Sequence, residues 1–163
     1  MIVSMVPHSA AECIRRFQSS APVDVLKVAT AFGLKVYESD THLPHNTSGM
    51  ILRAPEVGGE SGYCIIVRSS EPFVRRRFTV AHEISHFILH RDKIGNSLAD
   101  DTLYRSSLSS VEESEANQLA ADILMPRDLI RKYASSLGVT DPSVLAKRFQ
   151  VSELAMKIRL GLP

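Results

Sequence analysis

The segment His82-Glu83-Ile84-Ser85-His86 sets two imidazoles four residues apart with a carboxylate beside the first. On an α-helix, positions i and i+4 lie one above the other, about 6 Å apart, so His82 and His86 can direct two nitrogens at one ion. Glu83 is one step round the helix and can reach a water on that ion without binding the metal itself. Two nitrogen ligands, an open coordination position and an adjacent base are what zinc-assisted hydrolysis requires. A histidine pair on a helix is also common in a solvated or hydrogen-bonded role, so the motif needs context. His90 continues the ladder, but a helix rises ~1.5 Å per residue, which sets it ~12 Å from His82 along the axis, too far to share an ion. His90 therefore reads as an ordinary, partly buried residue near the helix end, where a cation is favoured.

A third ligand has to come from another element, and residues 109–126, SSVEESEANQLAADILMP, offer Glu112, Glu113 and Glu115 on one helix. Its apolar face, Ala116, Leu119, Ala120, Ile123 and Leu124, begins with small residues that let two helices approach closely. Glu113 and Asn117 are i and i+4 and share a side. The expectation is that Glu113 binds the metal while Asn117 accepts a hydrogen bond from the outward nitrogen of a ligand histidine and fixes its orientation. Each acid has a plainer role open to it, because Ser109 with Glu112 or Ser110 with Glu113 has capping-box spacing. The first box leaves Glu113 free and is preferred; Glu115 is the alternative ligand.

These residues need a scaffold, and the periodicity supplies one. Ser9 and Glu12 have capping-box spacing before a helix over 10–19. Val25, Val28, Ala29 and Phe32 mark a second over 23–32, stopped by Gly33. The period then changes: 34–38, 49–53 and 63–68 read as strands of a small sheet ending in a hairpin. Pro72 opens a long helix over 72–90 with Val74, Phe78, Ala81, Ser85 and Ile88 down one side. Residues 91–110 are polar and without period, which suggests a functional loop. Helices follow over 111–125 and 127–137, the latter stopped by Gly138, and two short ones begin at Asp141 and Ser152 around FQVS.

Composition narrows the class. The chain has 163 residues, 44% hydrophobic and 23% charged, with a formal net charge of +1, the profile of one soluble globular domain without a global field to attract nucleic acid or membrane. It shows no signal-peptide pattern and no apolar run of ~18 residues, which points to the cytoplasm. Cys13 and Cys64 are too few for a disulfide framework and read as reduced, Cys64 as a small buried hydrophobe.

Together, RRRFTVAHEISHFILH and EESEANQLAADILMP resemble the ImmA/IrrE family of bacterial and phage metallopeptidases. VDVLKVATAFGLKVYE and SGMIL are similar to its N-terminal helix and strands, and LAKRFQVSELAMKIRLGLP to its C-terminal helix-turn-helix-like segment. Ser85 stands where the family usually has glycine and Leu119 where phenylalanine is common. The resemblance implies an α+β, zincin-like fold with a small sheet on the histidine helix, divided as a metallopeptidase domain over 1–137 and a C-terminal segment over 138–163 packed on it. It implies a gluzincin-like zinc site of His82, His86 and Glu113, one zinc per chain, with Glu83 as base. It further implies an intracellular protease that cuts a helix-turn-helix repressor or antitoxin, derepressing genes of a mobile element, a stress response or a toxin-antitoxin pair.

The oxyanion formed in such a reaction needs a donor, and the long loop holds two candidates, Tyr104 and Arg105. Arg75, Arg76 and Arg77 read as a solvated helix face. Two other classes stand beside the protease. One is a DNA-binding regulator with a structural metal, for which Lys147, Arg148, Lys157 and Arg159 in the last 22 residues give a modest basic patch. The other is a partner-binding protein in which the zinc site serves as a sensor.

Overall fold

A computed structural model describes residues 5–95 and 108–163. Its elements in chain order are helices α1 (His8–Arg15) and α2 (Val25–Ala31), strands β1 (Leu34–Glu38), β2 (Gly49–Arg53) and β3 (Tyr63–Val67), and the long helix α3 (Phe73–Leu89). Helices α4 (Ser110–Leu124), α5 (Arg127–Leu137), α6 (Pro142–Phe149) and α7 (Glu153–Leu160) complete it. This is the α+β, zincin-like arrangement expected. No helix among the described residues is long and apolar enough to cross a membrane.

The sheet has the order β1-β3-β2, with β3 parallel to β1 and antiparallel to β2. Central β3 is its most buried strand, carrying Cys64, Ile65 and Val67 into the core. Cys13 and Cys64 are both free and buried. Gly33 ends α2 in the left-handed region, at φ +74°, and a Cβ there would lie 2.7 Å from the Ser61 backbone nitrogen, so the turn into β1 admits no side chain.

Helix α3 is the axis of the fold, packed on α4, α2, β2 and β3. That position changes which of its faces is buried. Val80, Ala81, Ile84 and Phe87 go into the core, while Val74 and Phe78, read from the sequence as part of the core stripe, border a cleft instead. A helix contacted on most sides has no single apolar stripe, so its periodicity misplaces the inner face. The stripe on α4 is clean by contrast: Ala116, Leu119, Ala120, Ile123 and Leu124 are all fully buried.

Two expectations fail. The Ser9–Glu12 box does not form; α1 starts at His8 behind Pro7, without a side-chain cap, and His8 pairs with Glu12 at 3.2 Å instead. Arg77 is not on a solvated face: it is 8% exposed and donates to the carbonyls of Val23, Gln150 and Phe149. Those bonds satisfy backbone acceptors where α6 ends and tie it to α3. Leu145, Phe149, Val151 and Met156 enter the same hydrophobic core as α3 and α4.

Candidate metal centre

Helix α4 starts with the expected cap. The Ser109 hydroxyl accepts from the Glu112 N–H, and the Glu112 carboxylate accepts from the Ser109 N–H in return. Glu112 also pairs with Lys93. Glu113 is thereby left to face α3.

On α3, the Nε2 atoms of His82 and His86 lie 3.0 Å apart. The Glu113 carboxylate faces both, with Oε2 3.3 Å from His82 Nε2 and Oε1 3.2 Å from His86 Nε2. For zinc bonds of 2.0–2.1 Å in a tetrahedron, neighbouring ligand atoms should be about 3.3 Å apart. The three separations fit that edge length, so the cluster is consistent with one zinc-sized ion held by His82, His86 and Glu113.

The surrounding hydrogen bonds suit the same reading. His82 Nδ1 lies 2.9 Å from Asn117 Oδ1; with the amide oxygen as acceptor, the ring proton sits on Nδ1 and Nε2 keeps a lone pair for the metal. His86 Nδ1 lies 3.0 Å from His90 Nδ1, and His90 Nε2 lies 3.1 Å from Glu115 Oε2. If His86 donates from Nδ1 to His90, and His90 donates from Nε2 to Glu115, His86 Nε2 is likewise bare toward the centre.

Glu115 therefore sits behind the histidines rather than among the converging atoms. His90, 5% exposed, is more deeply enclosed than the sequence suggests. The signal was the third i+4 step of the ladder, His82-His86-His90, which carries a supporting chain even where it cannot carry a third ligand.

In the metal-free arrangement the charges respond to one another. Burial pulls the His82 pKa down, but hydrogen bonding to Glu113 and the charges of Glu83 and Glu113 outweigh it, leaving His82 above its ordinary value. Bonds from His82 and His86 hold Glu113 well below the usual carboxylate range. Clustered imidazoles drawing a carboxylate to its ionised form is the electrostatic setting a dication would strengthen.

Glu83 is 2% exposed overall, yet it borders, with His82 and Asn117, a cleft of about 560 Å³, a volume typical of small-ligand and peptide-side-chain sites. One wall is the segment 46–49 leading into β2. Gly49 sets how closely that segment approaches α3: a Cβ there would fall 2.4 Å from Thr79 Cγ2 and 3.0 Å from the Ile66 carbonyl oxygen. The other wall is Val151–Ile158, mostly α7. Tyr104 and Arg105, the candidate oxyanion donors, lie outside the described residues.

Residues 29–161 match the peptidase family described as the IrrE N-terminal-like domain. The chain belongs to that family. The radiation response metalloproteases IrrE of Deinococcus deserti and Deinococcus radiodurans are each 32% identical to it over 143 residues, which is 82% of this chain and 51% and 44% of theirs. The chain thus spans about half the length of these IrrE relatives. A solved Mycobacterium tuberculosis transcriptional regulator shares the fold, with a TM-score of 0.59 at 18% identity over 96% of this chain and 48% of that one. The family assignment and the His82-Glu83-x-x-His86 with Glu113 cluster agree on a metallopeptidase centre of the gluzincin type.

Proposed function

We propose that this protein is a zinc-dependent endopeptidase that works inside the cell and cleaves a transcriptional repressor of the helix-turn-helix type. The observation that carries the reading is the convergence of His82 Nε2, His86 Nε2 and the Glu113 carboxylate beside Glu83 in an open cleft. The IrrE relatives, described as radiation response metalloproteases, support a regulatory setting.

When bound, zinc supplies a Lewis acid that lowers the pKa of water and polarises a carbonyl. His82 and His86 present neutral Nε2 atoms to it, held by Asn117 and by the His90–Glu115 chain. Glu83 accepts the proton of the attacking water and returns it to the amine nitrogen as the peptide bond breaks, base work followed by acid work. Tyr104 and Arg105 remain the proposed oxyanion donors.

The duplex-binding alternative loses ground on geometry. Of its four basic residues, Arg159 is buried against Asp122 at 2.5 Å and Lys157 pairs with Glu153 at 2.9 Å. The outward side of α7 carries Leu154 and Ile158, where a recognition helix would present groups for phosphates and base edges.

The test is to express the wild type and Glu83→Gln in the parent cell and compare new protein N-termini by mass spectrometry. A new terminus inside one helix-turn-helix repressor, present with wild type and missing with Glu83→Gln, is expected. Full derepression by Glu83→Gln would instead favour the partner-binding sensor.

A further inference from the structure

The cleft that holds His82 and Glu83 is not polar throughout. Val74, Phe78 and His82 follow one another at four-residue steps along α3, so the surface passes from metal ligand to aromatic ring within one helical turn, about 6 Å. Facing Phe78 across the cleft is α7, whose Leu154, Ala155 and Ile158 all line it. Leu154 and Ile158 are 68% and 69% exposed, a costly display of branched aliphatics unless something covers them.

The opposite side of α7 explains why this face is held in place. Met156 is fully buried. Arg159 bonds Asp122 at 2.5 Å and the Met125 carbonyl at 2.8 Å. At 100° per residue, 154, 155 and 158 share one arc while 156 and 159 point away from it. The helix is anchored by one face and offers the other to the cleft.

We propose that this apolar end, between Phe78 and the Leu154–Ala155–Ile158 face, is the specificity pocket of the site and takes a large apolar side chain, leucine- or phenylalanine-like, flanking the scissile bond. The inference rests on the protease reading above and adds the class of substrate residue. One helical turn from His82 matches the reach of a residue next to the bond being cut, since successive residues of an extended peptide advance about 3.3 Å. The facing wall, Asn46–Gly49, is polar and suits a peptide backbone, while Arg75 on the α3 side disfavours a basic side chain. A pocket of this kind discriminates through buried apolar area, by about 10-fold or more between a large side chain and alanine.

The test uses four fluorescein-labelled decapeptides of one sequence, with Leu, Phe, Ala or Asp at a single position, and zinc-loaded Glu83→Gln protein, read by anisotropy. Leu and Phe peptides should bind at least about 10-fold tighter than the Ala and Asp peptides. Adding Ala155→Trp, which fills the pocket, should cut that preference to less than about 3-fold with zinc content and melting temperature unchanged. Leu154→Ala, on an exposed face, gives a milder loss and guards against a folding defect. Four equal affinities, including four below detection, would overturn the proposal, as would a preference that Ala155→Trp leaves intact. So would a concentration-dependent dimer abolished by Ile158→Asp together with no peptide preference, which would assign the face to a second copy of the chain. Incubating the same peptides with zinc-loaded wild type separates the two readings. Selective binding without a cut bond would remove the protease and keep the pocket; cutting without preference would remove the pocket alone.

Discussion

Replacing Asp122 with alanine takes the partner from a guanidinium that is shut off from water. The Asp122 and Arg159 side chains are 6% and 8% exposed and meet at 2.5 Å. Burial pulls the Arg159 pKa down and Asp122 opposes that pull, so the carboxylate is what keeps the charge tolerable there. Removing one partner of such a pair costs about 3–5 kcal/mol, because the other charge stays buried. Arg159 keeps its bond to the Met125 carbonyl, which places the cost toward the lower end. For a chain of this size each kcal/mol moves the melting temperature by about 2–4 °C, giving a drop of roughly 6–12 °C for a loss near 3 kcal/mol. Thermal and urea unfolding by circular dichroism measure it. The double variant Asp122→Leu with Arg159→Met should recover most of the loss, since an apolar pair of similar volume carries no desolvation penalty. A drop below about 2 °C for Asp122→Ala would refute the reasoning, because it would mean the pair is screened like a surface one. The same variant should loosen α7, and with it one wall of the cleft.

Three further outcomes are expected. Metal analysis of purified protein should find about one zinc per chain in the wild type and in Glu115→Ala, and a sharp loss in Glu113→Ala and His86→Ala; zinc retained by Glu113→Ala and lost by Glu115→Ala would reverse the assignment of the third ligand. His90→Ala removes the group facing His86 Nδ1 and should weaken zinc about 10–100-fold in a chelator competition, and an unchanged affinity would make His90 only a packing residue. Gly49→Ala should destabilise by about 1–3 kcal/mol through overpacking, and Thr79→Ser should restore part of that by removing the methyl it meets, which paired urea melts would show or exclude.

Much of the chemistry was readable in one dimension because helical spacing is a local property. The four-residue steps His82–His86 and Glu113–Asn117, and the Ser109–Glu112 box, each depend only on which residues share a helical face or a first turn. The caps at Asp141 and Ser152 and the stop at Gly138 formed for the same reason. Strand positions were legible too, since β-rich runs bounded by turn residues leave few other solutions.

What the sequence by itself determined is therefore the set of elements and the donor types each presents: two imidazoles and a base on one helix, a carboxylate and an amide on another. Only the tertiary structure decided which groups meet. It alone faced Glu113 rather than Glu115 with His82 and His86, set Glu115 behind them through His90, buried Arg77 and Arg159 among carbonyls and a carboxylate, and turned Val74, Phe78 and α7 toward one cleft. The physical reason is that periodicity reports the environment of a helix averaged around its axis. Pairing across elements depends on crossing angles and close approaches, such as that of Gly49 to Thr79, which arise only when the whole core packs.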